Sequence, residues 1–160
     1  MHTNTNNSNK ETSCIFCQIV AGTAPCHKVW ENEHYLAFLS IFPNTEGFTV
    51  VLPKYHLSSY IFDHSSAEIN QLMEAAKHVS SILVSKFTTV ARTALIFEGY
   101  GVNHLHAKLI PLHGTKTKSW KHIGSTIKTT FDTYPGYVSS HDAPRESDTK
   151  LSEMAAFLRS

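Results

Sequence analysis

The first third of the chain carries three short apolar segments separated by polar residues. Residues 28–30 and 34–40 flank the polar stretch 31–33, and residues 47–52 form a β-branched and aromatic run that Pro53 ends. Such runs, bounded by turn-forming residues, are typical of strands. The pattern therefore predicts three consecutive antiparallel strands.

The longest periodic segment begins with the spacing of a capping box, because Ser65 is followed three residues later by Glu68. Apolar residues then recur on one helical face, and they are Ile69, Leu72, Met73, Ala76, Val79 and Leu83. This pattern predicts the main helix of the protein, which should end before Phe87.

Two more strands and a short helix complete the predicted elements. Residues 93–97 and 104–112 are predicted strands, the chain beyond Gly114 is mostly irregular, and residues 148–159 carry apolar side chains at helical spacing. Strands, then a helix, then strands again indicate an α+β fold. We expect an antiparallel sheet of about five strands with one main helix and a short C-terminal helix.

Length and composition fit one compact globular domain. The chain has 160 residues, of which 41% are hydrophobic and 17% charged, so it can bury a core. Its net charge of +1 excludes the strongly basic surface of a non-specific nucleic-acid binder. We expect a disordered tail over residues 1–12, the main domain over 13–114, and an extension over 115–160 packed on that domain.

Membrane and export signals are not visible in the sequence. No apolar run approaches the roughly 18 residues that a membrane span needs, and residues 1–12 are polar. The expectation is a cytoplasmic protein without a membrane partner.

Two of the eleven histidines alternate along the predicted strand 104–112. In a strand, His104, His106 and Lys108 share one face, and the apolar residues between them share the other. Same-face neighbours lie roughly 7 Å apart, so the three basic groups can surround one phosphate. Their repulsion favours a neutral, nucleophilic imidazole near pH 7. The alternative is that two histidines alternate on an exposed face by chance.

Two of the three cysteines, Cys14 and Cys17, form a C-x-x-C pair. In a reducing compartment this spacing indicates metal or redox chemistry more than a structural disulfide. The alternative is a pair of packed thiols, which is also the simplest interpretation of Cys26.

The segment 104–111, His-Leu-His-Ala-Lys-Leu-Ile-Pro, resembles the signature of the histidine-triad (HIT) family, in which histidines alternate with apolar residues. Residues 14–22, Cys-Ile-Phe-Cys-Gln-Ile-Val-Ala-Gly, are similar to the N-terminal segment of many bacterial members. The resemblance covers about residues 14–112, so the predicted main domain is HIT-like.

The resemblance implies a small α+β enzyme, commonly a homodimer, that binds a purine nucleotide, more often adenine than guanine. Carried over, His106 attacks the α-phosphorus of a nucleoside phosphoramidate, acyl-nucleotide or dinucleoside polyphosphate and forms a nucleotidyl-histidine intermediate. His104 and Lys108 flank it in the catalytic set. The expected class is a histidine-triad nucleotide hydrolase or transferase.

The sequence departs from the family pattern at three places. Lys108 replaces the third histidine, and residues 98–103 form a shorter loop than is usual. Ser40 stands where family members usually have an Asp that binds the ribose hydroxyls. These departures keep an alternative open, a catalytically impaired nucleotide- or partner-binding module. The residues expected to bind the nucleotide are Ser40, Ile41, Gly99, Gly101 and Asn103.

The resemblance also implies a structural Zn2+ held by four ligands, Cys14, Cys17, His56 and His104. Two cysteines and two histidines satisfy a closed tetrahedral zinc site, which would hold the N-terminal segment to the catalytic strand. A third hypothesis is a structural protein that bound zinc stabilises and that has no affinity for nucleotides.

Overall fold

The computed structural model describes residues 13–160, and the predicted tail over 1–12 lies outside the described residues. The chain divides into two compact units, one ending at Lys121 and the other comprising residues 122–160. The strands of the first unit are β1 (Lys28–Glu31), β2 (Tyr35–Leu39), β3 (Thr49–Pro53), β4 (Val90–Ile96) and β5 (Ala107–His113). Its helices are α1 (Ile15–Val20) and α2 (Ser66–Lys86), with a short 3-10 helix at Ile61–Asp63.

The five strands form one sheet in the order β1-β2-β3-β5-β4, and every neighbouring pair is antiparallel. This arrangement confirms the predicted α+β fold. The short helix α1 was not predicted, because six residues of mostly apolar chain carry too little periodicity to identify a helix.

Helix α2 begins with the predicted capping box. The Ser65 side chain accepts a hydrogen bond from the backbone N–H of Glu68, and the Glu68 carboxylate accepts one from the backbone N–H of Ser65. The predicted apolar face packs on the sheet, although Met73 lies at its edge and is 39% exposed. The buried residues of the helix are Leu72, Ala75, Ala76, Val79 and Leu83.

The sheet is buried on both faces, and this explains why β2 and β3 are continuous apolar runs. The face under α2 includes Tyr35, Val51 and Ala107. The opposite face has its own apolar cluster, against which α1 packs. That cluster consists of Leu36, Phe38, Val50 and Leu52, with Phe16, Ile19, Val20 and Cys26 against it.

The start of the fifth strand corrects the prediction for residues 104–112. Strand β5 begins only at Ala107, because the preceding backbone groups bond outside the ladder. The N–H of His104 donates to the carbonyl of Val102, and the N–H of Leu105 donates to the carbonyl of Leu57. His104 therefore lies in the bend before the strand and His106 directly before its first residue, and both are buried.

The second unit has the predicted terminal helix, α3 (Asp148–Arg159), and Ser147 caps it by accepting a hydrogen bond from the N–H of Lys150. The rest of the unit is irregular, with the Phe131 ring against those of Tyr137 and His141. The packing of residues 115–160 on the main domain stays a prediction. Among the described helices, none combines the length and apolarity needed to span a bilayer.

Tyr35 carries the one buried side-chain polar atom within residues 13–160 that lacks a hydrogen-bond partner, its hydroxyl oxygen. A buried hydroxyl without a partner costs free energy, so we expect Tyr35→Phe to raise the free energy of unfolding by about 1 kcal/mol. Urea denaturation measures the change. Tyr60→Phe is the control, because Tyr60 is exposed and its replacement should change stability by less than about 0.5 kcal/mol. A loss of stability in Tyr35→Phe would contradict the assignment.

Candidate active site and metal centre

Two thiols and two imidazoles converge on one point, with their four ligand atoms within 4.8 Å of one another. Nδ1 of His104 lies 3.6 Å from Sγ of Cys14 and 3.5 Å from Sγ of Cys17. Sγ of Cys17 lies 3.2 Å from Nδ1 of His56. Around a tetrahedral ion with Cys and His ligands, sulfur and nitrogen are about 3.5 Å apart. The cluster can therefore hold a metal ion in tetrahedral coordination.

The local fold explains why these four residues meet. Cys14 is the N-cap of α1 and Cys17 lies three residues later, so one helical turn brings both thiols to the same side. His56 follows the end of β3, and His104 precedes the neighbouring strand β5. The centre thus joins the N-terminal helix to the middle of the sheet.

The hydrogen bonding of His104 fixes which of its nitrogens faces the thiols. Its Nε2 lies 2.9 Å from the carbonyl oxygen of Pro53. Because a carbonyl only accepts, Nε2 carries the proton and Nδ1 keeps its lone pair for a metal. Burial lowers the pKa of His104 to about 4, which favours the neutral ring that a metal ligand needs.

The next histidine, His106, is held by the backbone of the first. Its Nδ1 lies 2.6 Å from the carbonyl oxygen of His104, so Nδ1 donates and Nε2 keeps its lone pair in the neutral ring. Burial lowers the pKa of His106, the bond to the carbonyl partly opposes this, and the nearby charge of Lys108 lowers it further. The ring is therefore neutral near pH 7, and Nε2 carries its lone pair.

Phe16 contacts the rings of both His104 and His106. Its ring packs edge-on against those of His104, at 5.9 Å between centroids, and His106, at 5.2 Å. It lies in α1 between the two cysteines, so the cysteine ligands also position the aromatic ring. Phe16 was not among the predicted site residues, although the C-I-F-C segment contains it.

Lys108 forms an ion pair with Glu98, which was not among the predicted site residues. Its Nζ donates to Oε2 of Glu98 at 2.6 Å, and the side chains are only 24% and 12% exposed. The ladder pairs Ile96 with Lys108, and Glu98 lies two residues farther on the same face. Glu98 follows the predicted strand 93–97, and Lys108 lies within the predicted strand 104–112. Their opposite charges were the available signal, but using it required the register of the two strands.

Ser40 and Ile41 lie just beyond the end of β2. The ladder aligns Phe38, Val50 and Lys108 across three strands, so Ser40, two residues after Phe38, belongs to the same face as Lys108. Its hydroxyl accepts a hydrogen bond from the N–H of Phe42 at 3.2 Å. Ile41 is 71% exposed.

The other predicted nucleotide-binding residues lie in the segment before His104. Gly99 has φ +66°, and a Cβ there would lie 2.6 Å from the carbonyl oxygen of Ser59, so this position requires glycine. Oδ1 of Asn103 accepts from the N–H of the same serine. Gly101 and Asn103 line a cavity of about 350 Å³ together with Cys14, so they lie beside the metal centre.

A double-mutant cycle tests the ion pair of Glu98 with Lys108. Because the pair is largely buried, we expect Glu98→Gln and Lys108→Gln each to destabilise the protein, with a coupling energy of about 1–2 kcal/mol. The control is the exposed pair of Glu146 with Lys150, whose coupling should stay below about 0.5 kcal/mol. Chemical denaturation of the variants measures both. Equal coupling in the two pairs would show that the buried pair has no special role.

A HIT domain model matches residues 21–115. Protein hit of Bacillus subtilis is 34% identical over 106 residues, covering 64% of this chain and 72% of that protein. Adenosine 5'-monophosphoramidase hnt1 of Schizosaccharomyces pombe is 36% identical over 101 residues, covering 62% of this chain and 74% of the yeast protein. The match and the fold agree, and the chain belongs to the HIT family.

A solved structure shows the same fold. It is a Zn-bound histidine triad family protein from Mycobacterium smegmatis, with a TM-score of 0.61, 23% identity, and coverage of 72% of this chain and 86% of that one. The HIT family includes nucleotide hydrolases, among them adenosine 5'-monophosphoramidases.

Proposed function

We propose that this HIT protein is a nucleotide hydrolase or transferase that cleaves at an α-phosphorus through a covalent intermediate on His106. The observation that carries the proposal is the bond from Nδ1 of His106 to the carbonyl of His104, which leaves Nε2 as the nucleophilic atom of a neutral ring. The substrate class is a nucleoside phosphoramidate, acyl-nucleotide or dinucleoside polyphosphate. We propose adenine as the base and, as is common in the family, a homodimer as the assembly.

The reaction proceeds in two displacements at phosphorus. Nε2 of His106 forms a bond to the α-phosphorus while the bond to the leaving group breaks, and the leaving group takes its electron pair and a proton from solvent. Water then attacks the phosphorus and releases a proton to solvent, the P–N bond breaks, and its electron pair returns to Nε2. The ring is positively charged in the intermediate, and the carbonyl of His104 stabilises that charge by accepting from Nδ1–H.

Lys108 completes the catalytic set with His104 and His106. Its ammonium offers a positive charge to the phosphate oxygens, and Glu98 fixes its direction as a positioning residue. At neutral pH an ammonium acts as a point charge more readily than as a proton shuttle. Because Lys108 does not supply the proton, substrates with a basic leaving group, such as the amine of a phosphoramidate, are favoured.

The nucleotide-binding set extends from this face in two directions. Ser40 and Ile41 contact the nucleoside, where a neutral hydroxyl replaces the carboxylate usual in the family. Gly99, Gly101 and Asn103 form the segment nearest the phosphates, and the open space around Gly101 supports close approach to its backbone.

Zinc is the ion that we propose for the metal centre. Two thiolates and two imidazoles fill all four tetrahedral positions, which is typical of a structural site. When bound, the ion holds Cys14 and Cys17 of the N-terminal segment to His56 and His104. The reaction uses the chain's own imidazole, whose position depends on that attachment.

Intact-protein mass spectrometry tests the function. The protein is mixed with adenosine 5'-phosphoramidate, quenched at short times, and assayed in parallel for released AMP. We expect a mass increase of one adenylyl group, or AMP release where hydrolysis of the intermediate is fast. Saturable binding of AMP without either signal would overturn the proposal.

A second candidate is a nucleotide-binding module that has lost turnover. Two observations favour it: the charge of Lys108 is already balanced by Glu98, and only 3% of His106 is exposed. This candidate predicts AMP binding with no product and no adduct, so the same experiment separates the two.

A further inference from the structure

A cleft of about 760 Å³ lies on the face of the sheet that α2 covers. Tyr35 at its wall belongs to the core under α2, whereas His106 contacts Phe16 on the opposite face of the sheet. The cleft is therefore separate from the candidate active site. Its volume is within the range of small-molecule pockets, about 300–1,000 Å³.

The walls of the cleft are aromatic and amide-rich, with one carboxylate. Trp30 of β1 packs against the ring of His78 on α2, with 4.9 Å between centroids. No lysine or arginine is found among the described residues that line the cleft, and Glu74 is its only acid. The remaining lining residues are Asn32, His34, Tyr35, Tyr55, Asn70, Gln71 and Ala75. This composition disfavours phosphates and carboxylates and suits a cation.

The neighbouring charge does not block the carboxylate. Nζ of Lys77 lies 3.7 Å from Oε2 of Glu74, but both side chains are about three quarters exposed. Exposed pairs of this kind contribute little free energy. A ligand ammonium can therefore compete for Glu74.

Tyr35 and Tyr55 form another part of the cleft wall. The Tyr35 hydroxyl is buried, and the Tyr55 phenol lies close to it. Burial raises the pKa of Tyr35 to about 12, and the charge and hydrogen bonding of the Tyr55 phenol add to the shift. Tyr35 therefore stays protonated at neutral pH and adds no charge beside Glu74.

We propose that this cleft is a second binding site, for small organic amines with an apolar body. The ammonium donates to the Glu74 carboxylate, and the apolar body packs on the indole of Trp30. The site is independent of the proposed nucleotide chemistry.

Three probes with nearly the same body and different charges test the proposal: phenethylamine, 2-phenylethanol and phenylacetate. The full-length Trp120→Phe protein retains Trp30 as its single tryptophan, whose fluorescence reports binding. We expect saturable binding of the amine, with an affinity at least about tenfold higher than that of the alcohol, and no saturation with the carboxylate. Equal binding of amine and alcohol, or no binding of the amine at millimolar concentration, would overturn the proposal.

Substitution of one exposed helical glutamate tests the location. Glu74→Gln should remove the preference for the amine over the alcohol. Glu153→Gln, an equivalent change on α3, should leave that preference unchanged. Circular dichroism confirms that both variants fold. An identical response of the Glu74 and Glu153 variants would place the amine elsewhere.

Discussion

His106→Ala is expected to reduce kcat/KM for adenosine 5'-phosphoramidate by about a thousandfold or more. The substitution removes the atom that forms the covalent intermediate, and losses of this size are typical when a nucleophile is deleted. AMP release under pseudo-first-order conditions measures the effect. The adenylyl adduct should disappear from the mass spectrum of the same variant.

The matched control is His113→Ala, at the end of β5. His113 is bonded by Nδ1 to Thr89 and by Nε2 to the carbonyl of Glu46, away from the catalytic set. We expect its kcat/KM to stay within about threefold of the wild type, since it contacts no proposed site residue. A His106→Ala protein that retained the wild-type rate would exclude covalent catalysis at this residue.

Cys17→Ser is expected to abolish binding of the proposed metal. It should also lower the free energy of unfolding by several kcal/mol. Cys17 lies close to both histidine ligands, so its loss opens the cluster, and binding energy at a structural zinc site contributes directly to folding. Metal analysis should show one zinc per wild-type chain and far less in the variant. A chelator should destabilise the wild type and leave Cys17→Ser unchanged.

Cys26→Ser is the control for the chemistry of the substitution. Cys26 packs against the apolar cluster under α1 and is not one of the four converging ligands. The Cys26→Ser protein should retain full zinc content, and its smaller loss of stability should come from packing alone. If purified wild-type protein holds well under one zinc per chain and Cys17→Ser unfolds at the same urea concentration, the structural metal is excluded.

The helices show how far local sequence determines this fold. The capping box at Ser65 and Glu68 and the apolar periodicity behind it located α2, and α3 has the predicted bounds. Both signals are local, because a helix satisfies its own backbone hydrogen bonds. Helix α1 was missed because it is too short to show a period.

Some features of the candidate site follow from local sequence motifs, and others depend on contacts between distant residues. The four ligands that the structure brings together, Cys14, Cys17, His56 and His104, are those expected from the family resemblance. The pairing of Glu98 with Lys108 depends on the register between β4 and β5, and the burial of His106 depends on the packing of α1. Register and packing are fixed by contacts between distant parts of the chain, so alternation along one segment could not predict them.

His104 belongs to two structures at once, since its ring faces the thiols and its carbonyl accepts from Nδ1 of His106. A shift of the His104 ring also moves its backbone carbonyl, on which the orientation of the His106 ring depends. We therefore expect loss of the proposed ion to displace His106 as well. In a population of molecules, zinc occupancy should then set the number of molecules that carry out the proposed reaction and leave the rate of each unchanged.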